Sequence, residues 1–95
     1  RLDLLDDNLE LPLVAVRAIS LMHELPQIGE FRCSDERLNR IWQTGADTVA
    51  LCMQDHLWDG PKRDRLVWMG DLHPEIAVVS AVWGAHEIVP QSLDW

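Results

Sequence analysis

Between Asp59 and Asp71 the chain reads DGPKRDRLVWMGD. Asp59, Asp64 and Asp71 bring three carboxylates together, with Lys62, Arg63 and Arg65 as cations and Trp68 as an indole. Carboxylates this close can divide labour: one gives a proton to a leaving oxygen while another stays ionised. Cleavage of a glycosidic bond uses that division. A sugar site also needs carboxylates and arginines to bind hydroxyls, and an aromatic face to cover the apolar side of the ring. The same composition describes a solvated ion-pair loop. Composition alone leaves both readings open.

Such a loop needs elements on either side to hold it. Residues 34–53 read as a helix, with Ser34 as N-cap and Asp35 and Glu36 placing negative charge in the first turn. Leu38, Ile41, Trp42, Gly45, Val49, Cys52 and Met53 recur at three- and four-residue spacing, a core-facing stripe in which Gly45 would permit close approach of a second helix. Residues 54–70 carry no sustained period and contain Gly60, Pro61 and Gly70. That is a long loop for a compact domain, of the kind usually kept for function. A second helix starts near Asp71, with Pro74 in its first turn, and runs through IAVVSAVW, apolar nearly all round. Gly84 breaks it, and Pro90 suits the first turn of a third helix that is still amphipathic at Trp95. The chain therefore reads as a fragment.

Upstream, residues 1–10 are acidic and read as irregular. Residues 11–22 favour a strand, with Pro12 near its start and a short buried helix as the alternative the pattern leaves open, followed by a turn at Pro26 and Gly29. Asp55 reads as a cap or an arginine partner, and Glu75 as a first-turn cap.

The whole chain has 95 residues, 47% of them hydrophobic and 25% charged, an ordinary globular balance near the size where one core becomes marginal. A net charge of −8 disfavours phosphate backbones and anionic membranes, so neither nucleic acid nor membrane is expected as a partner. No apolar run is long enough to span a bilayer. Cys33 and Cys52 read as small buried hydrophobes, and the scattered His23, His56, His73 and His86 give no metal spacing. No metal or other cofactor is expected.

The order of residues adds what composition lacks. The segments SDERLNRIW and DGPKRDRLVWMGD, at this separation, resemble the α-L-rhamnosidases of glycoside hydrolase family 78. Those enzymes open their catalytic domain with a Ser-Asp-x-x-Leu-Asn-x-Ile-Trp helix, followed by an Asp-x-Pro-x-Arg-(Asp/Glu) … Trp-x-Gly-Asp loop. The likeness is close over residues 30–95 and looser over 11–29. It implies a mainly α fold, the first helices of an (α/α)6 six-hairpin barrel, with a short N-terminal β segment. Residues 1–30 would end a preceding β-sandwich domain and residues 31–95 would begin the barrel. It implies an inverting hydrolase that removes terminal α-L-rhamnose from a glycoside substrate, with the rest of its own parent chain as a partner.

Position by position, the resemblance makes Asp64 the general acid, Asp59 and Asp71 holders of rhamnose hydroxyls, and Arg63 and Trp68 lining of the same pocket. Many members carry an extra residue and a glutamate where this chain reads Arg63-Asp64-Arg65. The family's water-activating glutamate lies on a much later helix and matches no residue here, so these 95 residues are expected to be catalytically silent alone. A further expectation concerns the cations. A general acid must keep its proton, which flanking arginines oppose. An extended backbone would turn Arg63 and Arg65 away from Asp64, toward Asp59 or Asp55. The competing readings are a non-catalytic carbohydrate-binding module, a structural helical piece, and another six-hairpin hydrolase of different sugar specificity.

Overall fold

The computed structural model describes residues 3, 5, 8 and 10–95. The irregular reading of residues 1–10 lies largely outside the described residues. Three helices form in chain order: α1 (Glu36–Cys52), α2 (Met69–Val82) and α3 (Ile88–Leu93). The fold is mainly α, and no strand forms among the described residues. The strand expected over residues 11–22 is absent because a strand needs a neighbour to satisfy its backbone groups. Here no described segment lies alongside as a ladder. Residues 10–33 instead run as an irregular strap.

Helix α1 starts one residue later than the sequence implied. Asp35, not Ser34, is the N-cap, and its carboxylate accepts a 2.8 Å hydrogen bond from the Arg37 N–H. Asn39, in the next turn, closes the approach to the helix by accepting from the Cys33 N–H and donating to the Cys33 carbonyl, each at 2.9 Å. Helix α2 also differs at its start. It begins at Met69, so Pro74 falls in its second turn rather than its first. Proline there supplies no N–H to the carbonyl one turn back. The far end is as expected: Gly84, at φ +81°, takes the left-handed conformation that stops the helix. Pro90 lies in the first turn of α3.

The core is one cluster. Val49 of α1, Leu72 and Val79 of α2 and Ile88 of α3 close on Met53, Leu57 and Val67 from the connecting segment. Burial is confined to the second half of α1. Leu38 and Ile41 remain exposed, and the space beside Gly45 is open, so that glycine does not serve a close helix approach. Helix α2 buries Leu72, Val79 and Val82 while Ala77, Ser80 and Ala81 stay exposed. The strap is fastened where the Ile28 and Gly29 N–H groups both donate to the Val82 carbonyl, at 2.8 and 2.9 Å.

Candidate functional site

The connection between α1 and α2 is a folded hairpin, not an open loop. Asp59 and Leu66 form an antiparallel bridge, with the Asp59 N–H donating to the Leu66 carbonyl at 3.0 Å. Gly60, at φ +61°, makes the turn, a conformation that costs glycine little. Its carbonyl accepts from the N–H groups of Arg63 (2.8 Å), Asp64 (3.2 Å) and Arg65 (3.3 Å). Two buried side chains pin the ends of the segment: Leu57 before the hairpin and Val67 after it. The Leu57 N–H is held in turn by the Ser92 hydroxyl of α3 at 2.8 Å, and that hydroxyl donates to the Ile88 carbonyl at 2.6 Å. Trp68 then starts α2 with its backbone, its carbonyl accepting from Asp71 and Leu72 at 3.0 and 2.9 Å.

This turn brings Asp59, Arg63 and Asp64 into direct contact. Arg63 spans the two carboxylates: one terminal nitrogen lies 3.0 Å from Asp59 Oδ2, and Nε lies 3.3 Å from Asp64 Oδ1. The extended backbone expected for this stretch does not form: Arg63 reaches Asp59, as expected, but also Asp64, and Arg65 pairs with neither Asp59 nor Asp55. Residues 61–64 are turned rather than extended. Arg63 consequently faces Asp64, whereas Arg65, at φ +54°, sends its Nε back to the Pro61 carbonyl at 3.0 Å. Asp55 is exposed and serves as partner to neither arginine.

Trp68 and Asp71 are exposed at the start of α2. Among the described residues, no hydrogen bond or ion pair joins either side chain to Asp59, Arg63 or Asp64. Glu75 of α2 is half-buried. Burial, then the charge of Asp59, then that of Asp71 hold its carboxyl above the usual glutamate range. It sits in the second turn of α2 and so is no first-turn cap. Its signal in the sequence was the four-residue step from Asp71, which puts both carboxylates on one side of a helix.

Cys52 belongs to the same neighbourhood. Burial, then Glu75, then Asp59 push its thiol up. Neither cysteine is fully buried, contrary to the sequence reading, and both thiols are free. Cys33 instead donates to the Asp35 carbonyl at 3.4 Å.

The carboxylates lie on an open face. A cleft of about 680 Å³ is lined by Phe31, Arg32, Glu36, Asn39 and Trp42 at the start of α1 and takes in none of them. Another, of about 540 Å³, touches the back of the hairpin at Pro61 and Arg65, beside Trp58 and Asp55. Among the described residues no group of three or more His, Cys, Asp or Glu is arranged to hold a metal ion, and no helix is long and apolar enough to cross a membrane.

A carboxylate pair clamped by one guanidinium, with a tryptophan and two further acids at the adjoining helix, can grip vicinal hydroxyls and offer a proton donor beside them. Comparison with known proteins gives the family. No curated protein and no solved structure matches the chain. The family described as bacterial alpha-L-rhamnosidase 6 hairpin glycosidase domain matches residues 26–95, which include all three helices and the hairpin. The chain belongs to this six-hairpin glycosidase family and is, by family, a glycoside hydrolase.

Proposed function

We propose that the chain supplies the proton-donating half of an α-L-rhamnosidase active site that inverts the anomeric centre. The observation that carries this reading is the hairpin itself, which gathers Asp59, Arg63 and Asp64 inside the family-matched segment. In this reading Asp64 protonates the leaving glycosidic oxygen. Asp59 and Asp71 accept hydrogen bonds from the sugar hydroxyls, Arg63 fixes the carboxylates, and Trp68 covers the apolar side of the ring.

The contact of Arg63 with Asp59 is the shorter of its two. The guanidinium can stay anchored there while Asp64 turns to the substrate. Arg63 favours the ionised form of Asp64, so the donor role requires that Arg63 release Asp64 and stay on Asp59. Inversion requires a second carboxylate to activate water from the opposite face of the ring. That residue has no match in residues 1–95, so hydrolysis needs a protein carrying this segment together with the base. In this reading residues 31–95 begin the barrel, with the family match reaching back to residue 26, and the expected end of a β-sandwich domain lies upstream in residues 1–30 without a strand among the described residues.

The test is hydrolysis of aryl α-L-rhamnosides by such a protein, with other aryl glycosides for comparison. Asp64→Asn is expected to cost about 10²–10⁴ in rate with poor leaving groups, and far less where the leaving group needs no proton. Asp71→Asn should weaken sugar binding as well as turnover. Equal losses in Asp64→Asn on both kinds of leaving group would make Asp64 a structural partner of Arg63. Binding of L-rhamnose without turnover in the complete protein would favour a carbohydrate-binding module. Turnover by residues 1–95 alone, abolished in Asp64→Asn, would overturn the requirement for a distant base.

A further inference from the structure

The cleft of about 680 Å³ lies away from the hairpin, at the start of α1, and nothing above gives it a role. An α-helix rises about 1.5 Å per residue, so Glu36 and Cys52 stand roughly 24 Å apart along α1. The floor of the cleft is one face of that helix. Glu36, Asn39 and Gln43 follow at three- and four-residue steps, with Trp42 beside them. The facing wall is the end of the strap, Gln27 and residues 30–33. That wall is tied at both ends. The Ile28 and Gly29 N–H groups donate to the Val82 carbonyl, and the Asn39 side chain holds the Cys33 N–H and carbonyl at 2.9 Å each. Hydrogen bonds to the backbone therefore shape the cleft before anything enters it.

Two aromatic rings meet this space: Phe31 of the strap, 42% exposed, and half-buried Trp42 of α1. Glu30, Arg32 and Glu36 add two carboxylates and a guanidinium. Among the described residues, none of these three side chains makes a hydrogen bond or an ion pair. A wholly apolar ligand would strip water from those charges and return nothing. An anion would meet one cation and two carboxylates, on a chain of net charge −8. A neutral ring dense in hydroxyls suits them all. It donates to carboxylates, accepts from the guanidinium and lays its apolar face on an indole. The volume also falls within the range of small-molecule sites, about 300–1,000 Å³. We propose that this cleft is a second carbohydrate-binding site, remote from the hairpin, which seats a neutral pyranose against Trp42 and Phe31 with Glu36 and Arg32 on its hydroxyls. It rests on the glycosidase reading for the class of ligand and uses none of the hairpin residues.

The chain contains every residue that lines the cleft, so binding is measured on it directly. Amide and indole NMR signals are followed during titration with methyl α-L-rhamnoside, methyl β-D-glucoside and sorbitol, an acyclic polyol with no ring face. The Trp42 indole N–H and the amides of Cys33 and Asn39 should shift saturably with at least one pyranoside and not with sorbitol. Trp42→Ala should abolish the shifts at Cys33 and Asn39. Phe31→Ala and Glu36→Gln should each weaken affinity several-fold. Both change exposed side chains, so they decide the matter even where Trp42→Ala does not fold. Absence of saturable shifts at all three reporters with both pyranosides overturns the proposal. Equal shifts with sorbitol, or affinity unchanged in Phe31→Ala and Glu36→Gln, overturn it too. Failure of the glycosidase reading is seen elsewhere, in the leaving-group dependence of Asp64→Asn, and the two results are independent.

Discussion

Arg63 gives the hairpin its electrostatic character, because one planar cation with several donors can serve two acids that a lysine could serve only as a point charge. The charge of Asp59 also raises Cys52 and Glu75, after burial. That charge has a chemical consequence at Cys52. A thiol reacts through its thiolate, and burial with nearby carboxylates suppresses ionisation. Removing one carboxylate should release it. In a Cys33→Ser background, Asp59→Asn is expected to speed iodoacetamide alkylation of Cys52 a few-fold near pH 8 and shift its pH–rate curve to lower pH. Mass spectrometry of the modified chain measures the rate, with circular dichroism to check that the helices persist. An unchanged rate would mean that Asp59 and Cys52 do not share a neighbourhood.

Among the elements, short α3 has a role out of proportion to its length. Ser92 is 1% exposed, and its hydroxyl both accepts from the Leu57 N–H and donates to the Ile88 carbonyl. It thereby ties the last helix to the residue that pins the front of the hairpin. Replacing it by alanine leaves the buried Leu57 N–H without a partner. The expected cost of Ser92→Ala is about 1–3 kcal/mol, read from urea denaturation. A loss near zero would mean that water or a backbone shift takes the hydroxyl's place. Helix α2 is built differently. Gly70 and Pro74 both weaken its start, so Asp71 stands on the turn least supported by backbone bonding. The inward anchors Leu72 and Val79 compensate through burial.

At the scale of the whole molecule the chain is expanded. Its Cα radius of gyration is 18.4 Å, against about 13 Å for a compact domain of this size. The difference lies in the strap, where Leu13, Val14, Val16 and Ile19 are 61–99% exposed. Residues that bury nothing gain little to offset the entropy of being ordered. Native-state hydrogen exchange should therefore separate two regions. Amides of residues 13–20 should exchange near the rates of an unfolded chain. Those of Met53, Leu57 and Trp83, each hydrogen-bonded at or beside the core, should be the slowest. Ile28 and Gly29, bonded to Val82 at the edge of the helical body, should fall between. Protection of residues 13–20 equal to that of the core would contradict the strap's irregular conformation.

The sequence by itself determined the mainly α character, the extent of α1 to within two residues, the stop at Gly84 and the start of α3 around Pro90. Caps, proline and glycine act over one turn of chain, and an apolar stripe repeats within one helix, so no distant contact was needed to read them. The family motifs were legible for the same reason, being consecutive residues. Which side chains meet was not. Whether Arg63 turns toward Asp64 depends on three N–H groups converging on the Gly60 carbonyl. That Glu75 is half-buried depends on α2 packing against the 53–59 segment. The bare half of α1 and the unpaired strap were beyond the pattern as well, because an apolar stripe or an alternating run states what can be buried, and only a neighbour in space decides what is.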